Sequence, residues 1–141
     1  MNLPEKNAAV DANTDPAALR ILFVDDEADI RRLVELALAR DRHIRTKCAG
    51  SAREALAMLG DGNWAPDCIL LDSRMPEMRG ETLILALRAL PGFASLPIVM
   101  LTANATQEDA IRYAGLGAAG LIPKPFDPLA LAQTLRSILR R

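Results

Sequence analysis

From Arg20 onward, short apolar runs alternate with longer amphipathic stretches, and this alternation predicts the elements. Ile21 to Val24 form an apolar strand that ends in Asp25 and Asp26. Ile30, Leu33, Val34 and Ala37 then fall at i, i+3, i+4 and i+7, one stripe of an amphipathic helix. Residues 44–48 alternate instead, a strand with one basic, solvated face carrying Arg45 and Lys47. Ser51, with Glu54 three residues later, reads as a capping box opening a second helix. Beyond the polar turn "GDGNWAP" comes an apolar run over 68–71, a strand buried on both faces. Residues 81–90 read as helix, 97–101 as a strand ending at Thr102, and 106–114 as a helix stopped by "GLGAAG". A short strand at Leu121 and Ile122 precedes "PKPF", and Asp127 is expected to cap a last helix.

Five strands alternating with five helices imply an α/β fold, a parallel sheet covered by helices on both faces. The first, third and fourth strands are apolar throughout, as interior strands are. The second carries Arg45 and Lys47, the pattern of a protected edge. The fifth is short and ends at Pro123, which an edge tolerates. The expected strand order is 2-1-3-4-5, a doubly wound, flavodoxin-like sheet.

Residues 1–19 have two prolines, no aromatic residue and no sustained apolar period, and are expected to be a flexible tail ahead of one domain over 20–141. Composition narrows the functions. A net charge of −1 gives no field to recruit nucleic acid or an anionic membrane. No apolar run approaches a membrane span. Cys48 and Cys68 lack metal-ligand or redox-motif spacing, so free thiols in a reducing cytoplasm are expected. The single histidine, His43, leaves little room for histidine-based catalysis or a zinc site.

In open parallel sheets, sites form outside the carboxyl ends of the strands, where the strand order reverses. Asp25, Asp26, Asp72, Thr102 and Lys124 are the polar residues expected at that edge. Two like charges about 5 Å apart repel by about 3 kcal/mol at an effective dielectric near 20. Crowded carboxylates therefore require raised pKa values or a cation, and a hard oxygen-seeking divalent ion, Mg²⁺, fits. Lys124 supplies a point charge for an anionic oxygen, Thr102 a hydroxyl, and Asp72 a carboxylate able to attack a phosphoryl donor. No GxGxxG or Walker-type loop is present to hold a nucleotide.

The runs "ILFVDDE", "ILLDSRMPEMRG", "VMLTA" and "GLIPKPF", in this order and spacing, make the chain resemble the receiver domain of bacterial two-component response regulators over about residues 20–140. The resemblance implies a stand-alone phosphorylation switch rather than an enzyme with a separate substrate, catalysing only its own phosphorylation and dephosphorylation. It makes Asp72 the phosphoacceptor. Asp25, Asp26, Asp72 and the main-chain carbonyl of Arg74 would hold Mg²⁺. Thr102 is the switch hydroxyl and Lys124 the phosphate-binding lysine, joined to Pro125 by a cis bond. The implied partners are a sensor histidine kinase or histidine phosphotransfer protein, and a downstream protein or second copy of the chain. Two positions depart from the family pattern: Leu121 stands where an aromatic is usual, and Arg79 where an acidic residue or asparagine is frequent.

Other residues have plainer readings. Asp25 and Asp26 could simply cap the first helix. Trp64 and Tyr113 read as packing residues, Gly80 as a turn glycine, and Arg31 with Arg32 as a wet helix face. Two rival functions exist. An interaction module that keeps the fold without phosphorylation would have lost Asp26, Asp72 or Lys124, and all three are present. A phosphatase of the haloacid-dehalogenase type would carry DxD after its first strand, and Asp25-Asp26-Glu27 lacks the second aspartate.

Overall fold

The computed structural model describes residues 17–103 and 105–141. Its strands are β1 (Leu19–Val24), β2 (Ile44–Ala49), β3 (Cys68–Asp72), β4 (Ile98–Thr102) and β5 (Gly120–Pro123). They alternate with helices α1 (Ala28–Leu38), α2 (Ala52–Gly60), α3 (Gly80–Ala89), α4 (Gln107–Gly115) and α5 (Leu131–Leu139). The sheet is parallel throughout, in the order β2-β1-β3-β4-β5. This is the expected doubly wound arrangement.

Side chains alternate across a strand, so each interior strand feeds two cores. On one face Leu22, Val24, Ile69, Leu71, Ile98 and Met100 pack against α2, α3 and Tyr113 of α4. On the other, Ile21, Phe23, Leu70, Val99 and Leu101 pack against α1 and α5. Every residue of β3 and β4 is buried. That explains their uniformly apolar sequence up to the final polar residue of each.

Several local expectations shift. β1 starts at Leu19, with Ala18 and Leu19 buried and the Leu19 N–H donating to the His43 carbonyl (2.7 Å). The remainder of the expected tail, residues 1–16, lies outside the described residues. In α1 the buried stripe is Val34, Ala37 and Leu38, while Leu33 is exposed. Apolar Leu33, Leu36 and Leu38 made the phase of that stripe ambiguous. Ser51 caps α2 by accepting from the Glu54 N–H (3.0 Å), but Glu54 returns its carboxylate to the N–H of Gly50, one residue before the cap. Asp127 caps a turn by accepting from the Leu129 N–H (2.9 Å), and α5 begins only at Leu131. Gly80 opens α3 against the Met100 side chain, where an added Cβ would come within 2.9 Å. It serves a close approach, not a turn. Both cysteines are free, and burial pushes each thiol up to about 12.

α5 is fastened to the chain that follows α1 by a two-pronged ion pair. Arg136 Nε donates to Asp41 Oδ2 (2.6 Å) and its Nη2 to Oδ1 (3.3 Å). Arg136 holds the Asp41 carboxyl below the ordinary carboxylate range. A depressed acid stabilises the fold above its unfolded pKa and loses that effect as pH falls through the folded value. Asp41→Asn is therefore expected to cost about 1 kcal/mol at neutral pH. In urea titrations the gap from wild type should close as pH drops below about 4.

Candidate functional site

Because all five strands run the same way, their carboxyl ends meet at one edge of the sheet. β1 delivers Asp25 and Asp26, β3 ends in Asp72, β4 ends in Thr102, and Lys124 follows β5 directly. The register of β4 against β5 pairs Thr102 with Pro123, and the Lys124 N–H donates to the Thr102 carbonyl (2.7 Å). The Lys124–Pro125 bond is cis.

The expected residues converge. Asp25 and Asp72 are buried and Asp26 is exposed, with a carboxylate oxygen from each lying within 4.8 Å of the others. Lys124 Nζ donates to Asp72 Oδ1 (3.0 Å) and stands 4.0 Å from Asp25 Oδ2. Asp72 Oδ1 also accepts from the Arg74 N–H (3.3 Å). Asp25 Oδ1 accepts from the Glu27 N–H (2.9 Å), but its Oδ2 is buried with no hydrogen bond. Burial, then the charges of Asp72 and Asp26, push the Asp25 carboxyl up to about 6 against the Glu27 N–H and Lys124, which pull it down. Thr102 is buried at the rim. The Arg74 side chain is exposed and borders an open cavity of about 570 Å³, which is also lined by Asp26, Ser73, Arg79, Thr102 and Tyr113.

Two residues support the site without having shown themselves in the sequence. Arg31 is more than a wet face: its Nη1 donates to the Asp25 carbonyl (2.8 Å), tying α1 to the loop that carries both aspartates. Glu77 Oε1 accepts from the Ala52 N–H (3.0 Å), anchoring the loop after Asp72 to the start of α2. Either tie joins elements distant in the chain or reaches a main-chain group, and neither leaves a spacing to read.

A family model described as response regulator receiver domain matches residues 21–136. The chain belongs to the receiver-domain family. This receiver is 34% identical over 123 residues to the chemotaxis protein CheY of Pseudomonas aeruginosa, covering 87% of the chain and 98% of that protein. It is 39% identical over 109 residues to the regulatory protein AtoC of Escherichia coli, covering 77% of the chain but only 22% of that much longer protein. Among solved structures, the chemotaxis response regulator CheY4 of Vibrio cholerae superposes with a TM-score of 0.76 at 32% identity, covering 86% of the chain and 98% of CheY4. Among the described residues, no helix is long and apolar enough to cross a membrane.

Receiver domains bind Mg²⁺ at an acidic cluster of this kind. The donor set here fits: three carboxylates, all oxygen donors, with one buried oxygen of Asp25 lacking any hydrogen bond. Without a cation this crowding opposes folding. Asp25→Asn is accordingly expected to stabilise the metal-free receiver by about 1–3 kcal/mol at neutral pH. Thermal melts in EDTA measure this, and a lower melting temperature would contradict the electrostatic account.

Proposed function

We propose that this receiver accepts a phosphoryl group on Asp72 from a sensor histidine kinase or a histidine phosphotransfer protein in the cytoplasm. The observation that carries the reading is the contact of Lys124 Nζ with Asp72 at the centre of the acidic cluster. Asp72 Oδ1 is engaged by Lys124 and the Arg74 N–H, while Oδ2 has no hydrogen bond among the described residues and is free to attack. Attack on an N-phosphohistidine forms the Oδ–P bond and breaks the P–N bond. The electron pair stays on the imidazole nitrogen, and Asp72 becomes an acyl phosphate. Hydrolysis of that acyl phosphate resets the site, so the chemistry is confined to the protein's own side chain.

Mg²⁺, when bound, supplies positive charge that offsets the carboxylates and the incoming phosphoryl oxygens. Asp25, Asp26, Asp72 and the Arg74 carbonyl are the groups we assign to hold it. Lys124 stays as a point charge on one phosphoryl oxygen, and the Thr102 hydroxyl donates to another. Phosphorylation makes the edge more negative by roughly one unit. Thr102 and Lys124 are drawn in, which biases the position of α4. The face formed by α4, β5 and α5 is then the output surface for a downstream protein or a second copy of the chain, with no role for nucleic acid or membrane.

Incubation with acetyl phosphate and Mg²⁺ is expected to add a single phosphoryl mass, absent from Asp72→Asn. Full labelling of that variant at another residue would overturn the assignment. Asp26→Ala is expected to weaken Mg²⁺ binding at least tenfold, a loss of about 1.4 kcal/mol. Calorimetric titration gives the affinity, and an unchanged value would reduce the acidic pair to a helix cap.

A further inference from the structure

α4 has a single buried residue, Tyr113. Leu116 and Ala118, just past the helix end, are partly buried against the same core, and the polar attachments are at the rim. Arg112 pairs with Asp109 in its own helix (2.6 Å) and with Glu81 of α3 (3.6 Å). Arg88 of α3 donates to the carbonyl of Gly117, just past the helix end (3.0 Å). Ile111, two residues before Tyr113, is two-thirds exposed. Within the helix itself, one aromatic ring makes the buried contact between α4 and the sheet.

That ring has two neighbourhoods. It joins the core cluster of Met75, Leu83 and Met100. It also forms part of the wall of the cavity shared by Ser73 and Thr102, the residue after Asp72 and the rim hydroxyl. Among the described residues, no other aromatic lines this cavity. Leu121, opposite Met100 in β5, is half-buried in the same core and brings neither ring nor hydroxyl.

We propose that Tyr113 is the residue through which α4 registers the state of Asp72. Packed side chains transmit displacement because neither can move without leaving a void or a clash. Tyr113 packs in one core cluster with Met100, two residues before Thr102 on β4, and borders the same open cavity as Thr102 and Ser73. A shift of Thr102 and its strand towards a phosphoryl group therefore reaches α4 through the packing of an aromatic residue of the helix itself and not through a ring on β5. The inference rests on the phosphorylation reading given above. By linkage, a residue that discriminates between the two states of the site also sets the affinity of the ligand that selects one of them.

Tyr113 is the only tyrosine in the 141-residue chain, so ring-labelled tyrosine gives one assignable NMR signal in that chain. Beryllofluoride with Mg²⁺ serves as the phosphoryl mimic, and its binding is followed independently by fluorine NMR. The tyrosine signal is expected to shift as beryllofluoride saturates the wild type, and to stay in place in Asp72→Asn. Tyr113→Leu is expected to change beryllofluoride affinity by roughly fivefold or more, while Tyr113→Phe, which keeps the ring, stays closer to wild type. Bound beryllofluoride with an unmoved tyrosine signal would overturn the proposal. So would wild-type affinity in Tyr113→Leu with only a lower melting temperature, because that outcome makes Tyr113 a packing residue alone. Absence of beryllofluoride binding in the wild type would instead overturn the phosphorylation reading, and this inference with it.

Discussion

Three carboxylates crowded within 4.8 Å at one edge of a buried sheet are the constraint around which this domain is arranged. Such crowding is unfavourable in any fold, and it is hardest on Asp25, which is fully buried. The surrounding structure supplies partial compensation from several directions. Lys124 arrives from β5, and main-chain N–H groups of Glu27 and Arg74 point at carboxylate oxygens. Arg31 grips the carbonyl between the two aspartates. None of these completes the charge balance, which is why the edge suits a cation.

The parallel sheet is what makes the crowding possible. Hydrogen bonding between adjacent strands aligns Asp72 with Leu101 and Thr102 with Pro123, so residues more than fifty positions apart are brought to a common edge. Burial of β3 and β4 along their whole length leaves their last residues little freedom. Positioning of this quality comes from the core, and the loops inherit it.

This division explains what could be read in advance. Runs of uniformly apolar residues ending in a polar one reveal both an interior strand and the polar residue at its end, so the placement of Asp25, Asp72 and Thr102 was legible. Basic alternation in β2 and the short, proline-ended β5 revealed the edges and hence the strand order. Periodicity failed where several phases were apolar, as in α1, where Leu33 turned out exposed and Leu38 buried. Capping motifs gave the correct cap but the wrong reciprocal partner at Glu54 and the wrong helix start at Asp127. Side-chain to main-chain ties such as Arg31 to Asp25 and Glu77 to Ala52 follow from the three-dimensional path of the loops. Tyr113 was legible as a packing residue, yet its second neighbour, the cavity beside Thr102, became visible only once α4 was set on the sheet.

The two thiols, Cys68 buried and Cys48 half-buried, have a practical consequence of their own. Cys48 lies in β2 and Cys68 in β3, and desolvation pushes both thiols up to about 12. Since the thiolate is the reactive species, the raised pKa slows alkylation of both side chains in the native state. A cysteine introduced on an exposed helix face would then be the faster-reacting handle. Fluorophores or spin labels could be placed on the natural background, with no need to strip out residues that the core uses for packing.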